Sequence, residues 1–272
     1  MALPRRRPRD PEGRMSLAEH FRELKRRVLI ACLAIALGAV VGWVLYDDVY
    51  RLLTQPLTDY IAAHPERAGD IKLTLAGLTT GFSLHLSIGL FVGVIISSPV
   101  WLYEIWAFIV PGLTRKERRI SLAFIGASVP LFLAGILLAH RSLPLVIGVL
   151  LDFTPNGAAN FQELSTYFSF VTRFSLGFGF AFLLPIFLVA LNMIGILPVR
   201  AMIRSWRVAT FLIFCFAAMM MPTPDPYSMM LLAVPLVVLF WAAIGVSALI
   251  QRRKTRERPA WLDTPDDEAT AL

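Results

Sequence analysis

Only two cysteines occur in the 272 residues, Cys32 and Cys215, and both lie inside apolar runs. Neither a disulfide framework nor a cysteine-based metal site is on offer. Histidine is nearly as scarce, with four in the chain. No His, Cys or Asp cluster has ligand spacing, and His20 and His85 stand alone. Glycine-rich phosphate loops and the nucleophile elbow of serine hydrolases are missing. Paired aspartates or a Ser/His pair within the apolar runs, which intramembrane proteolysis would need, are missing too, so the chain reads as a non-enzyme without a cofactor. There is also no internal repeat.

What the sequence has in abundance is apolar length. The composition is 57% hydrophobic with a mean hydropathy of +0.66, too apolar for a soluble chain of this size. Six long apolar stretches run through it, and the basic residues sort between them. Four segments, 1–27, 111–119, 196–208 and 250–272, hold 21 of the 26 Lys and Arg. The intervening loops hold Arg51, Arg67, Lys72, Arg141 and Arg173, while acids such as Asp47, Asp48, Asp59, Glu66 and Asp70 gather in the first of them. Basic residues in short loops resist translocation, so both termini are expected in the cytoplasm. The net charge of +7 is then a topology signal and needs no nucleic-acid partner.

Residues 1–15, rich in Pro and Arg, predict a disordered cytoplasmic tail. Ser16 and Glu19 form a capping box, and Leu17, Phe21, Leu24 and Val28 follow on one helical stripe. His20, Glu23 and Arg27 share its flank. This amphipathic turn is expected to lie on the membrane surface and to feed the first span, 28–46. The second stretch, 81–110, is longer than one crossing needs and contains Pro99, which predicts a long helix, tilted or kinked. Span three covers 120–139, followed by an external loop with Pro144, Pro155 and Gly157. Span four covers 167–194 around Pro185. Spans five, 208–221, and six, 227–250, are expected to be short. At about 14 residues span five covers roughly 21 Å, less than a 30 Å hydrocarbon core. A turn with Pro222, Pro224 and Pro226 joins them, and 251–272 reads as a second disordered cytoplasmic tail. The expected fold is therefore an all-α integral membrane protein of six transmembrane helices, with a membrane domain over 16–250.

Few charges can carry chemistry within such a bundle. Glu104 is the one carboxylate well inside an apolar stretch, where an ionisable group costs roughly 2.5 to 3.5 kcal/mol on insertion scales. Its bland explanation is a water or polar neighbour near the cytoplasmic side. Glu23 and Glu117 are lone acids among arginines. An i to i+4 pair with Arg27 is a sufficient account of Glu23, worth about 0.3 to 0.5 kcal/mol when exposed. Neutralising Arg115, Lys116, Arg118 and Arg119 is a sufficient account of Glu117. A small six-span secondary transporter or channel is the alternative function, though one buried carboxylate and no inverted repeat suit it poorly. Residues 5–39 also resemble a signal peptide, but the apolar run is long, no small-x-small site follows, and five more spans continue.

Several segments resemble the TatC family, the multispanning receptor subunit of the twin-arginine protein translocase. They are MSLAEHFRELKRR at 15–27, PVWLYEIWAFIVPGLTRKERR at 99–119, LTQPL around Pro56, FGFAFLLP at 178–185 and TPDPYS at 223–228, which contains Asp225. The resemblance covers about 15–250. It implies a receptor in the cytoplasmic membrane of a bacterium or archaeon, docking signal peptides with two adjacent arginines for export of folded proteins by the proton-motive force. Glu23 and Glu117 stand at the family's recognition positions, with Phe108, Pro111 and Arg119 beside them and His20, Lys25 and Arg27 on the first helix. A concave, cup-like bundle is implied, with single-span TatA and TatB partners on its outer faces and several TatC copies in a hetero-oligomer. Pro56, Glu104, Leu183 and Asp225 are expected to serve structure or partner contact.

Four positions depart from the family pattern. Lys25 replaces a usual Arg, Leu183 a usual Glu in span four, and Trp241 a frequent Glu in span six, while Glu104 stands where a neutral amide is common. Two explanations are open. The buried polar site has moved from span four to span two, or this is a specialised paralogue with altered partner contacts.

Overall fold

The computed structural model describes residues 17–65, 71–75, 77–109, 115–152, 160–220 and 226–256. They form a helical bundle with one small sheet. Helix α1 (Leu17–Val44) is unbroken, so the amphipathic turn is continuous with the first span. Its outward face shows Leu29, Leu33, Leu37 and Val40, as a lipid-facing surface requires.

The segment after α1 was expected to be a loop, and it is instead helix α2 (Tyr46–Ala63). Leu53, Leu57 and Tyr60 are buried, with Asp48, Gln55 and Asp59 exposed. That spacing is helical, and one stripe suffices to fold an amphipathic helix onto the bundle. Pro56, also buried, sits inside it. Strand β1 (Ile71–Thr74) follows and pairs in parallel with β2 (Asn160–Glu163), Ile71 opposite Asn160 and Thr74 opposite Glu163.

The long second stretch divides into α3 (Thr80–Ile96) and α4 (Ser98–Ile109), bent by 60°. The kink expected near Pro99 is present, with its break at Ser97. Proline has no N–H to offer Ile95 O one turn back, and at the break two side chains bond carbonyls near the end of α3. Ser97 Oγ donates to Gly93 O at 2.7 Å, and the Trp101 indole donates to Val94 O at 2.9 Å.

Helix α5 (Arg115–Asp152) runs through Pro130 and Pro144. The external loop expected around Pro144 is therefore helix, and span three extends well past residue 139. Helix α6 (Leu164–Met193) contains Pro185, and Gly195, at φ +82, turns the chain after it. Then come α7 (Val199–Arg204), α8 (Trp206–Met220) and α9 (Pro226–Arg256). Helix α8 is short, as expected, at 15 residues. Helix α9 has 31 and is not short. It continues past Ile250 because Gln, Arg and Lys are good helix formers and need no apolar face to extend an existing helix.

Among the described residues four helices, α1, α5, α6 and α9, are long and apolar enough to cross a membrane, and the bent α3–α4 pair makes five if it counts as one. Helix α6 lies at the centre. Half of its crossing window (50%) is buried in the protein, against 11% for α1. Phe168, Phe174 and Phe178 of α6 are fully buried, with Phe132 and Leu143 of α5 and Leu232 and Leu236 of α9.

Helix α1 holds to the bundle through glycine. Gly38 and Gly42 in α1 meet Gly89 and Gly93 in α3, two G-x-x-x-G motifs crossing face to face. A Cβ on Gly93 would lie 2.6 Å from Ile35 O. Backbones approach this closely only without side chains between them, and that proximity supplies the dispersion contact that lipid cannot.

Candidate functional site

The α1 flank that carries His20, Glu23 and Arg27 faces α4. On α4, Glu104 and Phe108 are one turn apart and point back at it. The spacings 20, 23 and 27 on one helix and 104 and 108 on the other put each set on one face. The α3–α4 bend aims the shorter set at the longer.

Arg27 is the centre of the contact. Its Nε donates to Glu23 Oε1 at 3.0 Å, and its Nη2 reaches the same oxygen at 2.5 Å. Its Nη1 donates to Glu104 Oε2 at 3.0 Å. One guanidinium thus spans two carboxylates on two helices. Side-chain exposure is 21% for Arg27, 22% for Glu23 and 12% for Glu104. One turn away the His20 ring stacks on Phe108, with centroids 4.6 Å apart and planes at 26°.

Partial burial decides what these pairs are worth. In full solvent each contributes under about 1 kcal/mol. At this exposure the larger effect is the cost of removing one partner, because a shielded charge left alone loses several kcal/mol of compensation. Glu104 has the polar neighbour that its depth requires, and that neighbour is a cation on α1.

Five of the residues singled out in the sequence, His20, Glu23, Arg27, Glu104 and Phe108, therefore meet in one place. Lys25 does not. It is exposed, and two residues from Glu23 it lies across the helix. Glu117 and Arg119 belong to the first turns of α5, but their side chains lie outside the described residues. So do Pro111 and Asp225. Pro56 is in the core of α2, apart from this cluster. Leu183 is 3% exposed and packs with Trp101, Leu102 and Phe132. A carboxylate in that apolar surround would be a buried charge, so leucine suits these neighbours. Trp241 is 46% exposed on the outer side of α9.

Two features of the site were not anticipated. The Arg27 link to Glu104 spans 77 residues of sequence, and no local spacing signals it. The His20–Phe108 stack had a signal, since both residues sit on the same faces as the acids.

Residues 19–235 match the family model "Sec-independent protein translocase protein (TatC)". The chain is 43% identical to the TatC protein of Xylanimonas cellulosilytica over 89% of this chain and 87% of that one. It is 39% identical to the Frankia casuarinae TatC over 96% of this chain and 74% of that one. A crystal structure described as the twin-arginine translocase receptor TatC superposes with a TM-score of 0.73 at 30% identity, covering 86% of this chain and all of that one (100%).

Proposed function

The chain belongs to the TatC family of Sec-independent translocase proteins, and on that premise we propose that it docks twin-arginine signal peptides at the α1–α4 cluster. It is the receptor subunit of the twin-arginine translocase, a multi-pass membrane protein and not an enzyme.

The observation that carries the docking reading is a partly shielded carboxylate, Glu23, already in register with a guanidinium. A guanidinium presents a planar fork to a carboxylate, whereas an ammonium is a point charge, so geometry can distinguish two arginines from two lysines. Exposed pairs discriminate little. Pairs desolvated at an interface couple by roughly 1.5 to 7 kcal/mol. Glu117 is proposed as the second acid, with Pro111, Arg119 and Phe108 beside it.

Six crossings with both termini cytoplasmic fit the same reading. β1 precedes α3 and β2 follows α5, and the two strands are paired. Their pairing requires one side of the membrane, so α5 and the α3–α4 pair together cross an even number of times. With α5 as one crossing, the bent pair is another. The basic residues Arg200 and Arg204 precede α8, Arg207 lies in its first turn, and Arg252 lies near the C-terminal end of α9. Placing both on the cytoplasmic side requires α8 to cross despite its length, with the bilayer thinned around it. Outward apolar residues such as Phe211 and Leu212 on α8 and Val238 on α9 offer surfaces for single-span TatA and TatB subunits and for further copies of the receptor.

The test is photocrosslinking of a twin-arginine precursor to probes beside Glu23 and Glu117, with a twin-lysine precursor as control. Labelling is expected to fall about tenfold for lysine, as loss of a bidentate pair implies. Equal labelling by both would sink the docking reading.

A further inference from the structure

Arg27 occupies the carboxylate that the docking reading assigns to cargo. We infer that Glu104 is a positioning residue for signal-peptide recognition: it holds Arg27 when an incoming guanidinium takes Glu23. This rests on the docking reading and adds to it a residue that does not itself touch cargo.

The geometry separates the roles of the two acids. Both Arg27 contacts to Glu23 fall on Oε1, through Nε and Nη2, and Oε2 takes no bond from Arg27. Nη1 alone turns to Glu104. The guanidinium can release one edge and stay anchored by the other nitrogen. Exposure separates them too, because Glu23 is 22% exposed and Glu104 12%. The outer acid is the one a ligand can reach. The inner acid keeps the host cation.

Charge counting gives the direction of the effect. Glu23, Arg27 and Glu104 together carry one net negative charge. A cargo guanidinium brings the set to neutrality. With a neutral amide at 104 the empty set is already neutral, and cargo leaves one uncompensated positive charge at a partly buried site. Arg27 would also have Glu23 as its sole partner among these three and compete for it. Both effects weaken binding. Neighbouring charge on α1 does not substitute: Lys25 and Arg26 are exposed and of the same sign as the cargo, and the acid Glu19, one turn from Glu23, is exposed and screened by water.

The experiment uses the complete translocase in inverted membrane vesicles, with a photoreactive probe replacing exposed Arg22, and titrates a twin-arginine precursor. Labelling is normalised to receptor present in the membrane. Glu104→Gln is expected to raise the half-saturating concentration about fivefold or more, the lower end of typical coupling between sites. Glu104→Asp, which keeps the charge, is expected to stay near the parent. The double variant Arg27→Gln with Glu104→Gln is expected to recover to within about twofold, as removal of both members of one interacting pair predicts. A loss of structure alone would not be repaired by a second substitution. An unchanged Glu104→Gln titration, or a double variant as weak as Glu104→Gln, overturns the inference. Glu23→Gln distinguishes the two levels: full labelling of that variant removes the docking reading, whereas its loss beside an unchanged Glu104→Gln removes only the role of Glu104.

Discussion

Single residues in this protein act through what they are paired with across helices. Glu23 and Arg27 were legible at i and i+4, and the i+7 relation to His20 put all three on one flank. Glu104 stood out by its depth. Their convergence was not legible, because it depends on the bend at Ser97 and on how closely α1 approaches α3, neither of which local spacing encodes. Tyr167 shows the same limit at the opposite end of the bundle. It reads as an ordinary span boundary, yet it is 6% exposed and its hydroxyl donates to Leu53 O of α2 at 2.8 Å. Tyr167→Phe is expected to destabilise by about 1 kcal/mol, the net worth of one intramolecular hydrogen bond. Thermal unfolding in detergent would show it, and signal-peptide crosslinking should be unaffected.

Elements were legible where one periodicity persisted and misread where prolines or acids punctuated it. Asp47, Asp48, Asp59 and Pro56 made α2 look like a loop, although Leu53, Leu57 and Tyr60 recur at helical spacing. Pro144 suggested an end to α5, but a proline is tolerated in a long helix when its neighbours re-satisfy the freed backbone groups. Strands of four residues are too short for an alternation to register. The paired G-x-x-x-G motifs are present in the sequence, but each glycine alone says only that the helix is weak there. Their consequence is specific. Gly93→Ala puts a methyl 2.6 Å from Ile35 O and 2.8 Å from Ala39 N, and overpacking of this kind costs about 1 to 3 kcal/mol. Gly126→Ala, with nothing within 4 Å, is expected to leave the melting temperature unchanged or to raise it slightly, as alanine favours helix. Comparable losses from both would dismiss close approach as the reason for glycine at 93.

At the scale of the whole molecule, charge asymmetry and hydropathy carried most of the reading. They gave the membrane bundle and, with the motifs, the family, and family membership sets aside the transporter alternative. They understated the last helix, whose charged end extends an apolar span without changing its pattern. The proposed topology makes a direct prediction. Reporter domains fused to each terminus, one active only in the cytoplasm and one only outside, should both register cytoplasmic. Opposite readings would mean that α8 does not cross and that the chain has five spans.

The small sheet also dates the assembly of the chain. β1 leaves the ribosome with nothing to pair with, since β2 follows the bent pair and the whole of α5. The two strands can meet only after α5 has been inserted, and until then β1 presents an open edge. A receptor whose third span stalls during synthesis therefore differs from a finished one by an unpaired strand edge, a local mark of incompleteness.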